Sequence, residues 1–182
     1  MWHRSKMAIV SQSLHDATAT AASRFAPTPI VSAVMAVESA WIDYNGHLNM
    51  AYYHVFFDRA LDELFAALGV GADYLAARNA SMFALEAHVC YLREVKAGDR
   101  VLVETQHLDH DGKRLHLFQT LRHAAEGYVS ATNESVGMHI DMAARRGAPF
   151  PAEVAERLAG LAAAHAGLAL PDRAGRKIGL GR

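Results

Sequence analysis

The chain changes its hydrophobic period once, and that change limits its possible folds more than any other feature. From Met50 to Leu68, apolar residues return every three or four positions: Tyr53, Phe56, Phe57, Ala60, Leu61, Leu64, Phe65 and Leu68. Asp58, Arg59, Asp62 and Glu63 fill the other positions. The stripe is therefore one-sided and predicts an amphipathic helix. Asn49 is placed to cap its start, and Gly69 stands where a left-handed glycine ends a helix. Further along, the period becomes two. Val101, Val103 and Thr105 alternate with Leu102, Glu104 and Gln106, and Leu115, Leu117, Gln119 and Leu121 alternate with His116, Phe118 and Thr120. Strands are predicted over residues 82–95, 100–108, 113–123 and 128–141, with an earlier one over 31–42. Short glycine-containing connections near Gly98, Gly112 and Gly127 predict hairpins, hence an antiparallel meander.

Two further helices are expected, a short one over residues 72–78 and an Ala-rich one over 152–166 with Val154, Leu158 and Leu161 on one side. One long helix against one curved antiparallel sheet is a two-layer α+β domain. Such a domain leaves a sheet face and an edge uncovered, so self-association is expected. The chain has 182 residues, enough for one domain with tails. Residues 1–29, rich in Ala, Ser and Thr and closed by Pro27 and Pro29, read as a disordered tail. Residues 30–145 carry the domain, and 146–182 a C-terminal helix that gives way to a loose tail beyond Pro171.

Composition removes several function classes. A net charge of −1 without a long basic run lacks the footprint of a nucleic-acid binder. No apolar run reaches bilayer length, so no membrane partner is expected. The single cysteine, Cys90, excludes an intrachain disulfide framework, and the expected location is the cytoplasm. Eleven histidines invite a metal, but no His-Glu-x-x-His or paired-cysteine spacing occurs, so none is expected. The Asp109-His110-Asp111-Gly112 run lacks the later ligands of a calcium loop and reads as a hairpin turn. No Gly-x-Ser-x-Gly elbow is present.

What remains is the turn Asp43-Tyr44-Asn45-Gly46-His47-Leu48-Asn49, set directly before the amphipathic helix. Asp43 has a side chain that is ionised at neutral pH. The helix start offers unpaired N–H groups and a positive dipole end to the same place, and Gly46 allows close backbone approach. This turn, with the helix and the strand series behind it, resembles the signature of hotdog-fold thioesterases of the 4-hydroxybenzoyl-CoA thioesterase type. In that pattern Asp43, Gly46, His47 and Asn49 fall in order, and Gly98-Asp99 before a strand also matches. The resemblance covers roughly residues 30–145. Met50 departs from it, since most relatives carry a second Asn there.

The resemblance implies a hotdog fold, a long central helix wrapped by a curved antiparallel sheet, assembled as a dimer or a dimer of dimers. It also implies hydrolysis of an acyl-CoA thioester with no cofactor beyond the CoA of the substrate. Asp43 then attacks the carbonyl or takes a proton from water, while His47, Asn45 and Gly46 complete the catalytic turn. Glu134, a strand carboxylate between Asn133 and Ser135, is a candidate to hold a water. Asn49, Tyr53, Arg93, Lys96 and Arg114 are the candidate substrate contacts, the three cations for CoA phosphates. The Asp43-x-Asn45-x-His47 spacing is also similar to acyl carrier protein thioesterases. The segment Ala174-Gly175-Arg176-Lys177-Ile178-Gly179 resembles the C-terminal extension of thioesterases that act on betainyl-CoA. The non-catalytic alternative is a hotdog acyl-CoA binding module.

Overall fold

A computed structural model describes residues 25–180. The one-sided stripe forms α1 (Met50–Leu68), with Asn49 as N-cap, its side chain accepting from the Ala51 N–H at 3.0 Å, and Gly69 in the left-handed region as C-cap. α2 (Ala72–Arg78) follows at once. The period-two region forms β3 (Ala80–Tyr91), β4 (Arg100–His110), β5 (Arg114–His123) and β6 (Val129–Asp141). β7 (Arg146–Gly147) pairs with β6, and α3 (Ala152–His165) closes the order. α1 lies against one face of the sheet. Phe56, Phe57, Ala60, Val101, Val103, Leu121 and Ala131 form one core cluster there, each 3 % exposed or less. Burying each large side chain contributes roughly 1.5–3 kcal/mol. Gln119, fully buried on that face, donates to the Phe57 carbonyl of α1 at 3.0 Å, so a polar bond pins helix to sheet.

Three expectations are corrected. The strand expected over residues 31–42 is broken into β1 (Ile30–Val31), β2 (Met35–Ala36) and a 3₁₀ turn (Ser39–Trp41). The Ser32 hydroxyl accepts from the Val103 N–H at 3.0 Å, and the Ala33 N–H donates to the Glu63 carboxylate at 3.1 Å. Side-chain oxygens thus take backbone bonds that a continuous ladder needs, and the strand leaves β4 between its two pieces. The meander holds for β4, β5 and β6, which pair in turn as antiparallel neighbours, but not for β3. The sheet order is β1-β4-β5-β6-β3, with β3 paired to β6 from Ala80↔Asp141 to Tyr91↔Ala131. β3 and β4 are therefore three strand spacings apart, about 14 Å, and residues 92–99 cross that gap. β3 stops at Tyr91 because the Leu92 and Arg93 N–H groups both turn onto the Ser130 carbonyl, at 2.9 and 3.1 Å.

The third correction concerns the C-terminus. The segment beyond α3 is hydrogen-bonded along the sheet face opposite α1. Gln106 donates to the Ala169 carbonyl at 3.1 Å, and the Gly175 N–H donates to the Glu134 carboxylate at 2.7 Å. Most of the tail expected over residues 1–29 lies outside the described residues, but Phe25 packs on the second core cluster, with Leu64, Leu68, Val154, Leu158 and Leu161.

Candidate active site

The turn before α1 is built by its own sequence. The Asn45 N–H donates to the Asp43 carboxylate at 2.8 Å, and the Gly46 N–H donates to the Asp43 carbonyl at 3.0 Å. This is an Asx turn, closed by Gly46 at φ 83°, a conformation that favours glycine. The Asp43 N–H donates to the His47 carbonyl at 3.1 Å, and Ile42 bridges Leu48. Leu48, 1 % exposed, anchors the far side of the turn in the core. Its N–H donates to the Val95 carbonyl at 2.9 Å, while the Asn49 N–H donates to the Trp41 carbonyl, also at 2.9 Å. Trp41 in turn stacks on Tyr52 of α1 at 5.4 Å. One Asp43 oxygen, Oδ1, is thus fixed by a backbone donor two residues on.

His47 Nδ1 donates to the Leu48 carbonyl at 3.3 Å, which leaves Nε2 as a proton acceptor. Within the first turn of α1, the Ala51 N–H is taken by the Asn49 side chain and the Tyr52 N–H by the Asn49 carbonyl. The Met50 N–H has no intrahelical acceptor. It lies at the positive end of the helix dipole, on a residue that is largely exposed. A carboxylate and a backbone donor at one helix terminus can attack a carbonyl and hold the oxygen on which charge develops.

The other expected residues divide. Tyr53 is buried, edge-on to Tyr91 at 5.1 Å, and burial raises its phenol pKa. It packs the core beneath the turn. Arg93 and Lys96 lie on the 92–99 crossing that touches the turn through Val95. Arg93 sits 3.7 Å over the Tyr128 ring, and Lys96 lies 3.3 Å from Glu94. Arg114 is in the hairpin at the far end of β4, about 35 Å of strand from Arg100. There it is paired with Asp111 at 2.6 Å, and the fold does not bring it to Asp43. Glu134 faces away from α1, because it alternates with Asn133, whose side chain donates to Gln119 on the α1 face. It is held by Gly175 and by His116 Nε2 at 2.8 Å, so within one chain it is not brought to the turn.

A cavity of 350 Å³ opens between α1 and the β3 side of the sheet, lined by His54, Asp58, Phe65, Phe83 and Asn133 among others. Among the described residues, no group of three or more His, Cys, Asp or Glu is arranged to hold a metal ion.

The family model described as the thioesterase-like superfamily matches residues 37–158, a span that holds the turn, α1 and every long strand. The chain belongs to the thioesterase-like superfamily. It is 44 % identical over 140 residues to a betainyl-CoA thioesterase from Pseudomonas aeruginosa, covering 77 % of this chain and 88 % of that one. It is 39 % identical over 143 residues to an L-carnitine dehydrogenase/betainyl-CoA thioesterase from Rhizobium meliloti, covering 79 % of this chain but only 29 % of that longer protein. A Staphylococcus aureus protein solved in complex with CoA superposes with a TM-score of 0.79 at 29 % identity, over 86 % of this chain and 98 % of that one. A 1,4-dihydroxy-2-naphthoyl-CoA thioesterase from Synechocystis shares the fold at a TM-score of 0.61 and 15 % identity, over 78 % of this chain and 98 % of that one.

As a thioesterase, the protein is an α+β enzyme of hotdog fold that hydrolyses acyl-CoA thioesters. The sequence reading missed the cavity residues Asp58 and Asn133. A signal was present for Asp58, which borders the apolar stripe of α1 between Phe57 and Leu61. No periodicity marks Asn133, because a buried amide occupies the position that any inward strand residue would.

Proposed function

We propose that this thioesterase hydrolyses betainyl-CoA to glycine betaine and free CoA, with Asp43 as the central carboxylate. The observation that carries this is the Asp43 turn on the N-terminus of α1, in a chain 44 % identical over most of its length to a protein that bears that activity in its name. In the nucleophilic route, an Asp43 oxygen bonds to the thioester carbon, the C–S bond breaks, CoA leaves as thiolate and water hydrolyses the anhydride. In the general-base route, Asp43 takes a proton from water as that water attacks, and the proton passes to the departing thiolate. Either route places the carbonyl oxygen on the Met50 N–H and requires no cofactor. His47 Nε2 orients the attacking group.

The enzyme works as a self-associated assembly in the cytoplasm. Support for assembly comes from β3, the long edge strand, where Phe83 and Leu85 are 39 % and 52 % exposed. Among the described residues, no helix is long and apolar enough to cross a membrane.

The test is thiol release from short, aromatic, long-chain and betainyl-CoA esters. Betainyl-CoA is expected to be hydrolysed fastest. Asp43→Asn keeps an oxygen for the Asn45 N–H and removes only the charge. It is expected to fold as the wild type does and to lose roughly three orders of magnitude in kcat, the scale of losing a central catalytic group. Asp43→Ala is expected to abolish turnover. Full activity in either variant rejects the mechanism.

A further inference from the structure

β6 starts with an irregularity beside the 92–99 crossing. Between β5 and β6 the pairing runs Leu121↔Ala131 and then Arg122↔Val129, so Ser130 is an extra residue in β6, a bulge. A bulge re-aims the side chain that it inserts. Ser130, 0 % exposed, is turned onto the chain that leaves β3 and makes three hydrogen bonds with two successive residues there. Its carbonyl accepts the Leu92 and Arg93 N–H groups at 2.9 and 3.1 Å, and its hydroxyl donates to the Arg93 carbonyl at 2.6 Å. The two N–H groups already end β3, and any residue supplies the carbonyl they need. The hydroxyl is a further hold, specific to Ser130. Next to it, the Tyr128 hydroxyl donates to the Glu94 carbonyl at 3.0 Å. On the α1 side, burial raises the Tyr53 phenol pKa, opposed by hydrogen bonding to Ser130 and to the Val95 backbone.

What rests on the crossing is the Asp43 turn. Two backbone bonds tie Leu48 and Asn49 to residues outside that turn. One goes from the Asn49 N–H to Trp41, on the chain that leads into the turn, and the other from the Leu48 N–H to the Val95 carbonyl of the crossing. Val95, 0 % exposed, follows Arg93 by two residues. We propose that Ser130, seconded by Tyr128, is a positioning residue for thioester hydrolysis, fixing the crossing at Arg93 and Glu94 so that the Val95 carbonyl seats the limb His47-Leu48-Asn49. The proposal rests on the thioesterase reading above and adds β6 to the parts that aim its catalytic turn. His47 precedes Leu48 directly and the Met50 N–H follows two residues on, so a shift of Leu48 moves both. A misplacement of about 1 Å can cost on the order of 10² in rate, and a smaller shift is expected to cost about tenfold.

The experiment measures kcat and KM on whichever ester of the panel the wild type hydrolyses fastest, together with hydrogen exchange at the Leu48 amide. Ser130→Ala is expected to lower kcat about tenfold while KM stays within about twofold, the pattern of a lost transition-state interaction. Exchange at Leu48 is expected to quicken by about tenfold in the same variant. Tyr74→Phe is the control. It removes a buried hydroxyl bond to His139, 2.9 Å long, nine residues further along β6 and about 30 Å from Ser130. It is expected to lower the urea midpoint as Ser130→Ala does and to leave kcat and Leu48 exchange unchanged. Unchanged kcat or unchanged Leu48 exchange in Ser130→Ala, or an equal fall of kcat in Tyr74→Phe, overturns the proposal while leaving the thioesterase reading standing. If Ser130→Ala does not fold, Tyr128→Phe carries the test, since it keeps the ring under Arg93 and frees only the Glu94 carbonyl. A fall of kcat with faster Leu48 exchange supports the proposal, and either one unchanged overturns it. Hydrolysis of no ester by the wild type overturns the reading beneath it, and Leu48 exchange then still decides whether Ser130 holds the turn.

Discussion

At the scale of single residues, the turn shows how little sequence is needed to aim a carboxylate. Asp43 is fixed by the backbone of Asn45, two residues on, and that bond needs only the left-handed Gly46 to close. Asn49 then does two jobs at once. Its side chain satisfies the Ala51 N–H and its carbonyl the Tyr52 N–H, which leaves the Met50 N–H without an intrahelical acceptor. Asn49→Ala removes the cap and is expected to cost about 1 kcal/mol in urea unfolding. It should also lower kcat more than it raises KM, because fraying of the first turn moves the Met50 donor that the proposed mechanism uses in the transition state. A stability loss without any change in kcat would confine Asn49 to capping. The geometry of the turn was legible in the sequence because it is local: turn, cap and helix start are contiguous. The places of Glu134 and Arg114 were not, because a residue's type says nothing of which sheet face or which strand end it occupies.

At the scale of elements, α1 and the apolar side of α3 could both be read, since Val154, Leu158 and Leu161 are buried in the second core cluster. What no pattern announces is a histidine cluster at the end of α3. His165, at the end of α3, accepts the His107 backbone N–H through Nδ1 at 2.9 Å, and His107 Nε2 lies 2.9 Å from His110 Nδ1. Burial, reinforced by the charges of His110 and His165 and opposed by Asp109, lowers the His107 pKa to about 4. Burial lowers that of His165 as well. A depressed histidine takes up its proton more readily in the unfolded chain. Its contribution to stability is therefore complete above pH 6.5 and is lost as the pH falls from there toward 4. The slope is on the order of 1 kcal/mol per pH unit within that window. The urea midpoint of the wild type should fall between pH 6.5 and 4.5 faster than that of His107→Gln. Parallel curves would show that these histidines stay charged in the fold. The broken first strand has a related cause. The Ser32 hydroxyl and the Glu63 carboxylate divert backbone bonds, and a β-propensity reading counts Ser32 only as an indifferent strand residue.

At the scale of the whole molecule, alternation gives each strand its faces but not its neighbours. Residues 92–99 contain the glycine and the length of a hairpin loop, yet they carry the chain across three strand spacings and leave β3 at the edge. The sheet's two edges are treated differently. On one side β1 and β2 are two residues each, too short to template another strand. On the other, β3 runs for 12 residues with Glu86 as its only Asp, Glu, Lys or Arg, and contains no Pro. Edge strands that must stay single are blunted by Lys, Pro or bulges. β3 has one bulge, between Ala84 and Glu86, and the five residues Phe83 to Ala87 around it are all exposed. Such an edge is what a two-fold pairing with a second copy would cover, burying Leu85 near its centre. Leu85→Lys places a charge there without disturbing a buried contact of the monomer. It is expected to lower the mass measured by light scattering to that of a single chain of 19.8 kDa. Because the cavity opens beside the same edge, thiol release from betainyl-CoA should fall with the mass, while circular dichroism stays that of the folded chain. A monomer that kept full activity would show that one copy contains the whole site, and an unchanged mass would move the interface elsewhere on the sheet.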